Sequence, residues 1–188
     1  MAEVVLFHHA LGLTAGVRAF ADRLRASGHT VHTPDLFDGA TFTDVDAGVA
    51  HAKSIGFDVI IERGKEIAAE LPDGVVYAGM SLGVVPAQAL AQTRPGARAL
   101  VSLHSAIEPS DFDAEWPAGV PMQIHTMEDD GLGDVDVARE LASRMPEAEL
   151  FLYPGKGHLF TDNTTPDYDE AACGLVVERV LALLERAG

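Results

Sequence analysis

Cysteine is almost missing from this 188-residue chain. Cys173 stands alone, so no intrachain disulfide can form and no cysteine cluster can gather a metal. Basic residues are scarce as well: 13 Lys and Arg face 29 Asp and Glu, a formal charge of -16 that repels nucleic acid and anionic membrane surfaces. No apolar run approaches the length that crosses a bilayer. The opening Met1-Ala2-Glu3-Val4 has no basic segment leading into a signal-like apolar stretch, and a cytoplasmic location is expected. Repeats, linkers and low-complexity segments are also missing. With 47% apolar residues the chain can bury a sizeable core, and its length predicts a single domain over residues 1–188.

Short apolar runs alternate with amphipathic segments along this chain. Residues 4–7, 30–34, 75–80, 97–103, 121–126 and 148–153 read as strands. Helices are predicted after Thr14, over 59–71, after Ser81, over 135–145 behind Asp134 as a cap, and over 169–186. Residues 40–57 read as a loop with a weak helix, because Gly48 and Gly56 interrupt its spacing. Pro86 sits awkwardly in the third helix and requires it either to start late or to kink. The pattern predicts a doubly wound parallel α/β sheet of about six strands flanked by helices, with its site at the strands' carboxyl ends. The long loop over 104–119 is expected to help wall that site.

One stretch organises the chemistry. Gly79-Met80-Ser81-Leu82-Gly83 follows an apolar strand and opens a helical segment, the pattern of a nucleophile elbow that lifts Ser81 Oγ clear of the sheet. A serine hydroxyl needs a base to take its proton and a third group to hold that base in the productive tautomer. An acidic loop follows the fifth strand, and Gly157-His158 follows the sixth, which is the chain order of the α/β-hydrolase triad. His158 is the expected base. Glu128, Asp129, Asp130 and Asp134 all lie near enough to be the acid; Asp130 is favoured and Asp129 is second. The backbone N–H groups of Ala10 and Leu82 are the expected oxyanion donors. His8 and His9 could gather a metal with His32, His104 or His125, but no ligand spacing supports it, so no metal and no cofactor are expected.

These residues resemble the dienelactone hydrolase family, a branch of the α/β-hydrolases without a lid domain, along nearly the whole chain. The resemblance is carried by residues 4–13, by 28–37 with Pro34-Asp35-Leu36-Phe37, by the elbow, by 125–130 and by Gly157-His158-Leu159-Phe160. It implies Ser81 as nucleophile, Asp130 as acid and His158 as base. Three positions depart from the family pattern: Ser81 stands where relatives use cysteine, His9 where they carry a glutamate, and Asp162 where an arginine helps bind the substrate carboxylate. Dienelactone itself is therefore not expected as a substrate. The expected activity is hydrolysis of a small neutral or cationic ester, lactone or thioester, in a pocket formed by His9, Phe42, Phe112, Trp116 and Asp162. No nucleic acid or membrane partner is expected, and the oligomeric state is left open. A non-catalytic binding module and transfer to an acceptor other than water are the alternatives.

Overall fold

A computed structural model describes residues 1–188. Its strands are β1 (Glu3–Phe7), β2 (Thr30–His32), β3 (Val75–Met80), β4 (Ala99–Leu103), β5 (Met122–Met127) and β6 (Ala148–Tyr153). They form one parallel sheet in the order β2-β1-β3-β4-β5-β6. Both faces are covered, which is why β1 after Glu3, β3, and β4 apart from Ser102 read as apolar runs rather than alternating ones.

Side chains alternate between two core layers. Val4, Leu6, Val76, Ala78 and Met80 join the layer under α1 (Ala15–Ala26) and α6 (Glu170–Ala187). Val5, Phe7, Val75 and Tyr77 join the opposite layer, under α2 (Val45–Ile55), α3 (Phe57–Ala69), α4 (Val84–Thr93) and α5 (Val135–Arg144). No segment outside this alternation forms a lid. Strands are added outward from β1 in one direction to β2 and in the other to β3, so a crevice opens beyond the carboxyl ends of β1 and β3.

Local chemistry explains where the helices begin. The Thr14 hydroxyl accepts the Val17 N–H at 3.1 Å and starts α1. Asp44 accepts the Ala47 N–H at 2.9 Å and starts α2, so the segment with the weakest sequence signal is a full helix. Gly48 is no breaker there. It lets α2 touch the loop after β1, since a Cβ would stand 2.0 Å from the Ala10 carbonyl oxygen. Pro86 is accommodated because a 3-10 turn, Ser81–Gly83, intervenes before α4 and leaves the proline in the first helical turn, where its missing N–H costs nothing.

Two expectations are corrected. Asp134 holds the position before α5 but makes no capping bond; its φ is 51°, and its carboxylate instead accepts from Ser105 Oγ at 3.3 Å. The loop over 104–119 is the β4-to-β5 crossover rather than a wall of the site. A parallel connection must carry the chain from the carboxyl end of one strand to the amino end of the next. This one descends along α4, held by Gln88 Nε2 donating to the Ile107 carbonyl at 3.0 Å and Gln92 Nε2 donating to that of Pro109 at 3.2 Å.

Candidate active site

β3 ends at Met80, and the next residue turns sharply: Ser81 has φ 50°, in the left-handed region that costs a non-glycine residue about 1–2 kcal/mol. The turn is possible because the flanking glycines are squeezed. A Cβ on Gly79 would lie 2.2 Å from the Gly83 carbonyl oxygen, and one on Gly83 would lie 2.3 Å from that of Phe7. The strained turn therefore presses against the end of β1 and holds the Ser81 side chain above the crevice.

Two loops bring partners to that side chain. Ser81 Oγ is 2.8 Å from His158 Nε2, and His158 Nδ1 is 2.8 Å from Asp130 Oδ2. His158 is 7% exposed and Asp130 6%, whereas Asp129 is exposed. An ionised carboxylate only accepts, so the imidazole proton belongs on Nδ1 and the bare Nε2 faces the serine hydroxyl. The acid is fixed in turn: Asp130 Oδ1 accepts the Leu132 N–H at 2.9 Å, and Gly133 packs so closely that a Cβ there would meet Oδ2 at 2.6 Å. Asp167 Oδ2 accepts the His158 backbone N–H at 3.1 Å and sets the loop carrying the ring.

Ala10 is buried in the loop after β1, and its N–H takes part in none of the loop hydrogen bonds. Leu82 follows Ser81 in the 3-10 turn and is half-buried. A cleft of about 650 Å³ is bordered by Leu11 and Leu159, the chain neighbours of Ala10 and His158, while Ser81, Leu82 and His158 themselves lie outside its lining. Phe42, Val45, Leu132 and Pro166 extend its apolar surface; Asp44, Asp46 and Asp167 supply its charge, and no Lys or Arg lines it. Phe42 borders this cleft. Phe112 and Trp116 do not. Phe112 lies on the outer side of the helices with Asp58, Lys65 and Thr93, and Trp116 donates to the Val120 carbonyl at 2.9 Å, near the amino end of β5. Both follow the descending crossover away from Ser81. His9 and Asp162 are fully buried and pair with each other at 2.7 Å instead of lining the cleft.

A model of the dienelactone hydrolase family matches residues 1–188. The chain belongs to the dienelactone hydrolase family. Solved structures share its fold. A dienelactone hydrolase-like promiscuous phosphotriesterase from metagenomic libraries is 19% identical, with a TM-score of 0.76 covering 100% of this chain and 87% of that one. A dienelactone hydrolase from Anabaena variabilis is 18% identical, with a TM-score of 0.71 covering 98% and 86% respectively. Alpha/beta hydrolase domain-containing protein 10 from mouse is 13% identical, with a TM-score of 0.72 covering 99% and 90%. At such identities the likeness establishes the α/β-hydrolase fold alone. A search of curated protein sequences finds no match.

This dienelactone hydrolase family member buries four more histidines, three of them in or next to the turns after β1 and β4 and the fourth on β5. His8 donates from Nδ1 to the His9 carbonyl at 2.8 Å and accepts the Leu36 N–H on Nε2 at 3.0 Å, which fixes a neutral ring; burial brings its pKa down to about 4. His9 accepts the Leu11 N–H on Nδ1 at 3.2 Å and therefore donates from Nε2 to Asp162. His125 contacts Tyr153 and Gln123, and burial, then the Arg179 charge, lower it to about 3. His104 is wholly buried, and burial pushes its pKa well below the usual value. These rings serve the interior, and no three His, Cys, Asp or Glu side chains converge to hold a metal. The bond between His104 and Thr161, 57 residues apart, and that from the His158 N–H to Asp167 have no signature in the sequence, because no local spacing marks either pairing.

Proposed function

We propose that this protein is a serine hydrolase that cleaves a small uncharged ester, lactone or thioester through an acyl-Ser81 intermediate. The observation that carries this reading is the unbroken relay from Ser81 Oγ through both nitrogens of His158 to Asp130, each step 2.8 Å. In the reaction His158 Nε2 takes the hydroxyl proton as Ser81 Oγ bonds to the acyl carbon. The N–H groups of Ala10 and Leu82 receive the negative charge that develops on the carbonyl oxygen. The imidazolium, stabilised by Asp130, then hands its proton to the leaving alcohol, lactone oxygen or thiol. A water, deprotonated by the same nitrogen, releases the acid and restores the hydroxyl.

The cleft favours the substrate class. Its surface mixes aliphatic and aromatic groups with three carboxylates and no cation, so an apolar acyl or leaving group gains from burial while an anionic one is repelled. Because one solved structure of this fold is a promiscuous phosphotriesterase, a neutral phosphotriester belongs in the assay panel.

The test is labelling with a fluorophosphonate together with turnover of matched neutral and anionic esters, lactones and thioesters. A mass increase confined to Ser81, lost in Ser81→Ala along with turnover, is the expected result. An unlabelled wild type, or turnover that survives Ser81→Ala, sinks the reading.

A further inference from the structure

The loop that carries His158 is tied down at two successive residues, and both ties run to the strands that flank the nucleophile strand. β3 lies between β1 and β4 in the sheet. His9 stands two residues beyond the end of β1, and His104 directly follows β4. Both rings are fully buried. His104 Nε2 is 2.8 Å from Thr161 Oγ1, and His9 Nε2 is 2.7 Å from Asp162 Oδ2. Thr161 and Asp162 are the third and fourth residues after His158.

Asp162 is wholly buried yet well provided for. Oδ2 accepts from His9 and from Thr14 Oγ1 at 2.5 Å; Oδ1 accepts from the Thr164 N–H at 2.7 Å and the Thr164 hydroxyl at 2.5 Å. Four donors match the four acceptor sites of a carboxylate, the condition under which a charge can stay buried. The group also rests at the amino end of α1, where the helix dipole favours an anion. Only a glycine fits beneath it, because a Cβ on Gly16 would stand 1.7 Å from Oδ1. Burial alone would raise the pKa of this carboxyl, but the bonds from His9, Thr14 and Thr164 outweigh it and hold the group ionised far below the usual range.

The Thr161 tie is equally constrained. His104 takes φ 67°, a left-handed conformation that places its ring under the loop, 6.0 Å from the His158 ring and 4.8 Å from that of Phe160. Its Nδ1 has no partner, so Thr161 is its single hydrogen-bonding anchor. A neutral His104 suits the site, since a second positive ring at this distance would oppose the imidazolium that forms when His158 takes a proton. Between the ties and His158 the loop is stiff: Asp162 N–H donates to the Leu159 carbonyl at 3.0 Å, and Thr165 Oγ1 donates to the same carbonyl at 3.2 Å.

We propose that Thr161 and Asp162 are positioning residues, which through His104 and His9 lock the His158 loop to both neighbours of β3 and so set His158 Nε2 against Ser81 Oγ. The Asp162 tie has a second effect. His9 precedes Ala10, so the same bond fixes the base relative to the oxyanion N–H. This rests on the acyl-Ser81 reading, because the ties matter to the rate only if the Ser81–His158 contact carries the chemistry.

The experiment compares Thr161→Val, Thr161→Ser and Asp162→Asn with the wild type, in samples whose folded fraction is checked by circular dichroism and at a temperature well below each Tm. Thr161→Val keeps the shape and removes the hydroxyl; Thr161→Ser keeps the hydroxyl. We expect Thr161→Val and Asp162→Asn to lower kcat by about 10-fold or more with KM nearly unchanged, as small misplacements of reacting groups do. Fluorophosphonate labelling of Ser81 should slow by the same factor, and Thr161→Ser should recover most of the rate. If Asp162→Asn fails to fold, the Thr161 pair still decides. A Thr161→Val protein that is less heat-stable but has unchanged kcat and labelling rate overturns the proposal, since its role would then be structural. A wild type that does not label at all overturns the acyl-Ser81 reading, and the proposal falls with it.

Discussion

Asp130 Oδ2 lies 2.8 Å from His158 Nδ1, while Asp129, one residue earlier, is exposed. The pairing dictates which nitrogen of His158 is bare, and Asn at position 130 can present an N–H that reverses the choice. Asp130→Asn should therefore lower kcat by about three to four orders of magnitude, the cost of the wrong tautomer in a relay of this kind. Asp129→Asn should stay within about twofold of wild type, as exposed polar substitutions do. Steady-state kinetics on a neutral ester check both; equal losses in the two variants would contradict the assignment.

The glycines of the elbow are set by collision with backbone. Gly83→Ala drives a methyl group to within 2.3 Å of the Phe7 carbonyl oxygen, at the junction of β1 and β3. A cost of about 3 kcal/mol is expected, equivalent to a Tm drop on the order of 10 °C for a chain of this size. Calorimetry provides the measurement. A Tm within about 2 °C of wild type would show that the elbow relaxes freely.

Acid should weaken the fold through its buried histidines. Burial holds His8 near 4 and, with the Arg179 charge, His125 near 3, both below the ordinary 6.5. Between those values and 6.5 the unfolded chain binds protons that the folded chain refuses. The contribution is thus complete above about pH 6.5 and is lost on acidification, at up to about 1.4 kcal/mol per pH unit for each ring until its folded value is passed. Urea unfolding from pH 8 to pH 4 should show this decline, and His125→Gln, lacking a titrating ring, should decline less steeply. An acid slope unchanged by that substitution would remove His125 from the account.

Two of the three aromatic positions expected to line the pocket, Phe42 and Phe112, should part company. Phe42 lines the cleft bordered by Leu11 and Leu159, whereas Phe112 sits on the far side of the α3–α4 surface. Phe42→Ala should raise KM for a bulky apolar ester several-fold, the effect of losing about 1 kcal/mol of burial. Phe112→Ala should leave kcat/KM nearly unchanged. The reverse pattern would place substrate against the crossover.

Much of this was legible beforehand, for identifiable reasons. Strand β3 and the elbow could be read because a fully buried parallel strand is a run of apolar residues and because a strand-to-helix turn this tight has room only for glycine at Gly79 and Gly83. The order Ser81, Asp130, His158 followed from a parallel topology that puts the end of every strand at one edge. Helix α2 was nearly lost, since Gly48 looks like an interruption until Ala10 is seen against it.

Local sequence thus determined the alternation of elements, the parallel sheet, the family and the triad candidates, because each depends on spacing over a few residues. Tertiary structure decided what depends on distance. It chose Asp130 over its acidic neighbours as the partner of His158 and sent the 104–119 loop down α4, taking Phe112 and Trp116 with it. It also joined His9 to Asp162 across 153 residues. That last pair shows the physical reason: a buried carboxylate is stable only where several donors converge, and convergence is a property of the folded chain that no stretch of it records alone.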